Sequence, residues 1–94
     1  MTLMEIKHGT NKFYVGEDEQ NFLAQMTYVS SGENLMIIDH TEVSDELRGQ
    51  NVGKLLVESG VNYARENNLK VVPLCPFAKA LIDKTPEYQD VLKK

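Results

Sequence analysis

The chain has no tryptophan, a single cysteine, three prolines and 7% aromatic residues. Each shortage excludes something. One cysteine cannot form an internal disulfide, so the fold must stand on packing, and a reduced, cytoplasmic setting is expected. No tract rich in proline, glycine or serine marks a linker, and no repeat is visible. No apolar run approaches the ~18 residues of a membrane-spanning helix. The opening "MTLMEIKHG" lacks the basic and apolar regions of a signal peptide. Positive charge is also short: 10 Lys and Arg face 14 Asp and Glu, for a net charge of −4. With no basic block, neither a nucleic-acid nor a membrane partner is expected. One cysteine and two scattered histidines support no metal site.

What is there suits one small domain over residues 1–94, with 41% hydrophobic residues. A chain of this length buries only ~60–65% of its unfolded surface, so its core is thin. It is expected to act as a monomer or weak dimer.

Two short strands are expected at 6–8 and 12–15, around the turn Gly9-Thr10-Asn11. Phe22, Ala24, Met26 and Tyr28 alternate with polar residues, which predicts a third strand. A fourth, 35–41, begins apolar on both faces, as a central strand does. Its alternation sets Met36, Ile38 and His40 on one face, with Ile37, Asp39 and Thr41 on the other. Val52, Leu55, Leu56, Ser59 and Tyr63 then recur at helical spacing, beside Gly60 and Ala64. Asn67-Asn68 ends that helix, and 70–74 predicts a strand weakened by Pro73. Short helices are expected at 77–83 and 86–92. The fold class is therefore α/β, an antiparallel meander followed by a strand-helix-strand crossover and short C-terminal helices.

The junction between the fourth strand and the long helix is the most specific feature, with the sequence Arg48-Gly49-Gln50-Asn51-Val52-Gly53-Lys54. The first amides of a helix lack partners inside it and sit at the positive end of its dipole. Small residues let a phosphate approach such an end. Arg48-x-x-Asn51-x-Gly53 resembles the R/Q-x-x-G-x-G/A signature of the GNAT N-acetyltransferase superfamily. The wider run "HTEVSDELRGQNVGKLLVESGVNYARENNLKVVPLCPF" is similar to that family's central strand, pyrophosphate loop, helix and next strand, above all in its small yjdJ-type branch. Asn51 departs from the signature, standing where a glycine is usual; asparagine tolerates the left-handed region better than most residues.

The resemblance implies a minimal GNAT-like fold that transfers an acetyl group from acetyl-CoA to an amine, small molecule or protein. It implies that Arg48, Gly49, Gln50, Asn51, Val52, Gly53 and Lys54 hold the pyrophosphate of coenzyme A. It also implies that the backbone of Asp39, His40, Thr41 and Val43 pairs with the pantetheine arm, where the two parallel strands splay apart. It covers about residues 33–85. The helices that usually shape the acceptor pocket have no room in the N-terminal half. That shortage supports a second reading, a coenzyme-A-binding module with weak or no catalysis.

Ligands of open sheets with crossovers sit at the carboxyl ends of the parallel strands. This places His40 and Cys75 near one edge. Pro76 favours the first position of a helix, which makes Cys75 its N-cap, with Cys75 and Pro76 both beside the cofactor. A thiol there is activated and is expected to meet the acetyl thioester; His40 is the candidate base. A buried thiol can equally be core, and a strand-end histidine can simply bond backbone. Glu42, Asp45 and Glu46 are expected to be solvated, Tyr88 to anchor the tail, and His8 to lie on the surface.

Overall fold

In a computed structural model, residues 6–32, 34–47, 49 and 51–93 are described. Five strands form one sheet in chain order. β1 (Lys7–Gly9), β2 (Lys12–Gly16), β3 (Phe22–Ser31) and β4 (Leu35–Val43) are successively antiparallel. A 3-10 turn (Asp45–Leu47) leads into α1 (Val52–Glu66), and β5 (Lys70–Pro73) returns parallel to β4. α2 (Pro76–Asp83) and a 3-10 segment (Pro86–Val91) follow. The expected order of elements is the observed one. The final short helix is of the tighter 3-10 type, and β3 and β4 run further than their alternation marks.

The helices cover one face of the sheet. Met26, Met36, Ile38, Leu56, Val57, Val61, Ala64, Val71 and Ile82 are fully buried between them. Burial of each large apolar side chain contributes ~1.5–3 kcal/mol. The inward face of α1 is rotated from the expected one. Val57 and Val61 lie at its centre, while Leu55, Ser59 and Tyr63 flank it half-buried.

β4 does not alternate to its end. Tyr28 opposes Ile38 and Thr27 opposes His40, so Asp39 is an extra residue, a β-bulge. Beyond it every side chain changes face. Thr41, opposite buried Met26, now points to the helices, and Val43 opposite Ala24 does the same. His40 and Glu42 point to the outer, polar face, where Gln25 Nε2 donates to Glu42 Oε1 at 2.6 Å. The expected grouping of His40 with Met36 and Ile38 is thereby corrected.

The tail is fixed across the free edge of β5. Leu92 bridges Val71, and the Lys93 amide donates to the Val71 carbonyl at 2.9 Å. Arg65 grips Asp90 through Nε and an Nη at 2.9 and 2.8 Å. Tyr88 is buried, and its hydroxyl lies 3.4 Å from Glu58 Oε2, consistent with an anchor.

Candidate cofactor and thiol site

The pairing of β5 with β4 stops at Ile38 and Pro73. Proline has no N–H to extend the ladder. The amides of Leu74 and Cys75 instead both donate to the Ile38 carbonyl, at 2.9 and 3.2 Å. Residues 39–43 of β4 thus keep β3 on one side and, among the described residues, have no strand on the other. Thr41 Oγ1 and Ser44 Oγ are buried there with no hydrogen-bond partner among the described residues. Buried hydroxyls usually have one.

The turn before α1 has the conformation that its residue types suggest. Gly49 takes φ 86° and Asn51 takes φ 60°, both left-handed. Asparagine therefore replaces glycine without a change of backbone class. The first bond inside the helix runs from the Leu55 amide to the Asn51 carbonyl. The amides of Val52, Gly53 and Lys54 precede it and have no partner within the helix. The first turn carries no acidic side chain, so nothing there opposes an anion. Arg48 and Gln50 lie outside the described residues.

A cleft of about 600 Å³ runs between this turn, the end of β4 and α2. Val43, Leu47, Val52, Phe77 and Leu81 give it apolar walls, and Lys54 and Lys84 stand at it from the two helices. Phe77 explains one glycine. A Cβ at residue 53 would lie 2.6 Å from the Phe77 ring. Gly53 is bare on that side because the ring of α2 sits against it.

Cys75 is the N-cap of α2, with extended backbone (φ −70°, ψ 123°), and only 7% of it is exposed. Burial pushes its thiol up. Against that, the amides of Ala78 and Phe77 and the hydroxyl and amide of Thr41 draw it down, and the net shift is below the ordinary thiol value. The sulfur faces these groups without closing a capping bond of regular geometry. The influence of Thr41 is therefore one of proximity. Pro76 occupies the first helical position, as expected.

His40 does not join Cys75. The bulge turns it to the outer face of the sheet, where 61% of its side chain is exposed and its Nε2 lies 3.6 Å from Glu42 Oε2. Thr41 takes the place beside the sulfur that the sequence pattern gave to His40. Phe77 and Lys84 were not singled out from sequence. Phe77 had a signal, an apolar residue at the start of a short helix; Lys84 had none. His8 is more than a surface residue. Although exposed, its ring stacks on Phe13 at 4.3 Å and its Nε2 lies 2.6 Å from the Tyr28 hydroxyl, with Tyr63 edge-on. Among the described residues no group of three His, Cys, Asp or Glu could hold a metal ion, and no helix is long and apolar enough to cross a membrane.

Two parallel strands that part beside a left-handed turn leading into a helix define a class, and comparison with known proteins agrees. The chain matches the GCN5-related N-acetyl-transferase family over residues 12–91, and it belongs to that family. A GCN5-like protein from Staphylococcus aureus, solved in solution by NMR, is 54% identical, with a TM-score of 0.81 over 99% of this chain and 91% of that one. The GNAT-family N-acetyltransferase YhbS from Escherichia coli, solved in complex with CoA, is 18% identical, with a TM-score of 0.56 over 66% of this chain and 38% of that one. N-acetylglutamate synthase from Neisseria gonorrhoeae, solved with coenzyme A and N-acetyl-glutamate, is 16% identical, with a TM-score of 0.59 over 85% of this chain and 22% of that one. The chain spans well under half of these two larger proteins, and its likeness to them is one of fold. No curated protein matches the chain.

Proposed function

We propose that the chain acts as a single acetyltransferase domain that moves an acetyl group from acetyl-CoA to an amine. The observation that carries this is the unpaired edge of β4 at residues 39–43, flanked by the turn at Gly49 and Asn51 and by the Cys75 N-cap. An extended amide-bearing arm pairs with such an edge in strand fashion. The orphaned hydroxyls of Thr41 and Ser44 offer it further partners. The amides of Val52, Gly53 and Lys54 suit the pyrophosphate, and Arg48 and Gln50 belong to the same proposed loop. Asp39, His40, Thr41 and Val43 contribute backbone, and Pro76 fixes the helix start behind the thiol.

The thiol of Cys75 would attack the thioester carbonyl. An S–C bond forms at Cys75, the thioester S–C bond breaks, and coenzyme A leaves as the thiol with the proton from Cys75. The amine then attacks the acetyl group on Cys75. Its N–C bond forms as the Cys75 S–C bond breaks, and the displaced proton returns to the sulfur. His40 stands across the sheet, so its proposed part is confined to taking a proton from an amine that arrives over the outer face.

The second reading, a coenzyme-A-binding module with little catalysis, is favoured by one observation: the thiol is 7% exposed and the imidazole faces away from it. Intact-mass and peptide spectra after incubation with acetyl-CoA separate the two. An acetyl group on Cys75 supports the enzyme. Coenzyme A binding without that adduct, and without acetylation of any amine in an acceptor screen, supports the module. Absence of binding overturns both.

A further inference from the structure

The basic residues divide sharply. Lys7, Lys12 and Lys70 donate to backbone carbonyls, Lys79 pairs with Asp83 at 3.0 Å, and Arg65 pairs with Asp90 at 2.8 Å. Lys54 and Lys84 have no such partner among the described residues. Both line the same cleft, from different helices. In a chain of net charge −4, two uncommitted cations converging on one cleft describe a polyanionic ligand with charge at two places.

Lys54 lies in the first turn of α1, among the bare amides, and suits the pyrophosphate. Lys84 cannot serve by the same means. It is the C-cap of α2, where the helix dipole is negative and the backbone presents carbonyls. Its own amide donates to Ala80, and the neighbouring Thr85 hydroxyl donates to the Leu81 carbonyl at 2.7 Å. Among the described residues, only the side chain of Lys84 can hold an anion at that end of the cleft. Asp83, the nearest acid in sequence, is occupied by Lys79.

We propose that Lys84 is a second phosphate-binding residue, which recognises the phosphate monoester on the ribose of coenzyme A and makes the cleft discriminate against dephospho-coenzyme A. This rests on the coenzyme A reading above. Coenzyme A has two separated phosphate groups, and its dephospho form has one. A phosphate monoester carries about −1.5 to −2 charges at neutral pH, enough to engage a free ammonium. The alternative is that Lys84 only complements the C-terminal dipole of α2. That role would touch stability and not ligand choice.

Calorimetric titration of coenzyme A and dephospho-coenzyme A into the wild-type chain, Lys84→Gln and Lys79→Gln tests the assignment. Wild type should prefer coenzyme A by roughly five- to tenfold, with a gap that narrows as salt is added. Lys84→Gln should close the gap by weakening coenzyme A alone. Lys79→Gln, which removes the same charge outside the cleft lining, should keep it. Equal wild-type affinities, a gap that survives Lys84→Gln, or a parallel loss for both ligands in that variant would each overturn the assignment and leave the coenzyme A reading standing. Failure of both ligands to bind the wild type would overturn the coenzyme A reading, and this assignment with it.

Discussion

Thr41 is the residue on which the thiol site turns. Its hydroxyl is buried, has no hydrogen-bond partner of regular geometry among the described residues, and is close enough to the Cys75 sulfur to draw the thiol pKa down. Thr41→Val keeps the shape and removes the hydroxyl. The reaction of Cys75 with a thiol reagent should then have its midpoint shifted to higher pH. Stability should hold or rise by about 1 kcal/mol, because an unsatisfied buried polar group is lost. A fall in stability with an unmoved midpoint would show that the hydroxyl is bonded in solution and plays no part at the sulfur. Tyr28 makes a second prediction. Burial, then the charge and hydroxyl of Tyr63, push its phenol up to about 12 from 10.0. A raised pKa contributes stability that is complete below the unfolded value and is lost as pH rises through the folded one. Denaturation midpoints should therefore fall between pH 10 and about 12, and Tyr28→Phe should flatten that fall. An equally steep fall in the variant would place its cause elsewhere.

At the scale of elements, two glycines of α1 face different neighbours. A Cβ at Gly53 meets the Phe77 ring at 2.6 Å, and one at Gly60 meets the end of Met26 at 2.6 Å. Phe77 is 47% exposed and can swing aside, whereas Met26 is fully buried. Gly53→Ala should change stability by less than ~1 kcal/mol, since alanine's better helix propensity offsets the displaced ring. Gly60→Ala should cost ~1–3 kcal/mol as an overpacked core does. Chemical denaturation of the two variants checks this ordering, and equal effects would refute it. The same elements show what could be read beforehand. The turn was legible because Gly49 and Asn51 are the residue types that carry positive φ. The strands were legible by alternation, except where alternation fails. Nothing in Ile38-Asp39-His40 announces a bulge, so His40 and Thr41 were assigned to each other's faces. On α1, apolar residues lie on two adjoining stripes. Only contact with the sheet selects Val57 and Val61 as its centre. Lys84 was illegible because the cleft it lines is walled by residues of β4 and α1, far from it in sequence.

As a whole, the molecule is one sheet with helices on one side, and the alternation of its central strand is interrupted at a single residue. The consequence concerns length rather than composition. Loss of one residue from a strand normally slips its register and turns it inside out. Asp39 is the exception, because no residue of β3 opposes it. Without it, Ile38 and His40 become neighbours, still opposite Tyr28 and Thr27, and every residue of β4 keeps its present face. Deletion of Asp39 should therefore leave a cooperatively folded protein. A bulge bends and twists its strand; straightening it would re-aim the edge at residues 40–43 away from the turn at Gly49 and Asn51, while Pro73 would still end the pairing with β5. Coenzyme A should raise the melting temperature of the wild type and leave that of the deletion unmoved. If the deletion unfolds the chain, the bulge is a requirement of the fold; if it folds and melts higher with coenzyme A, the bulge is dispensable to the ligand. The one codon that this strand can drop is then the one that aims its ligand edge.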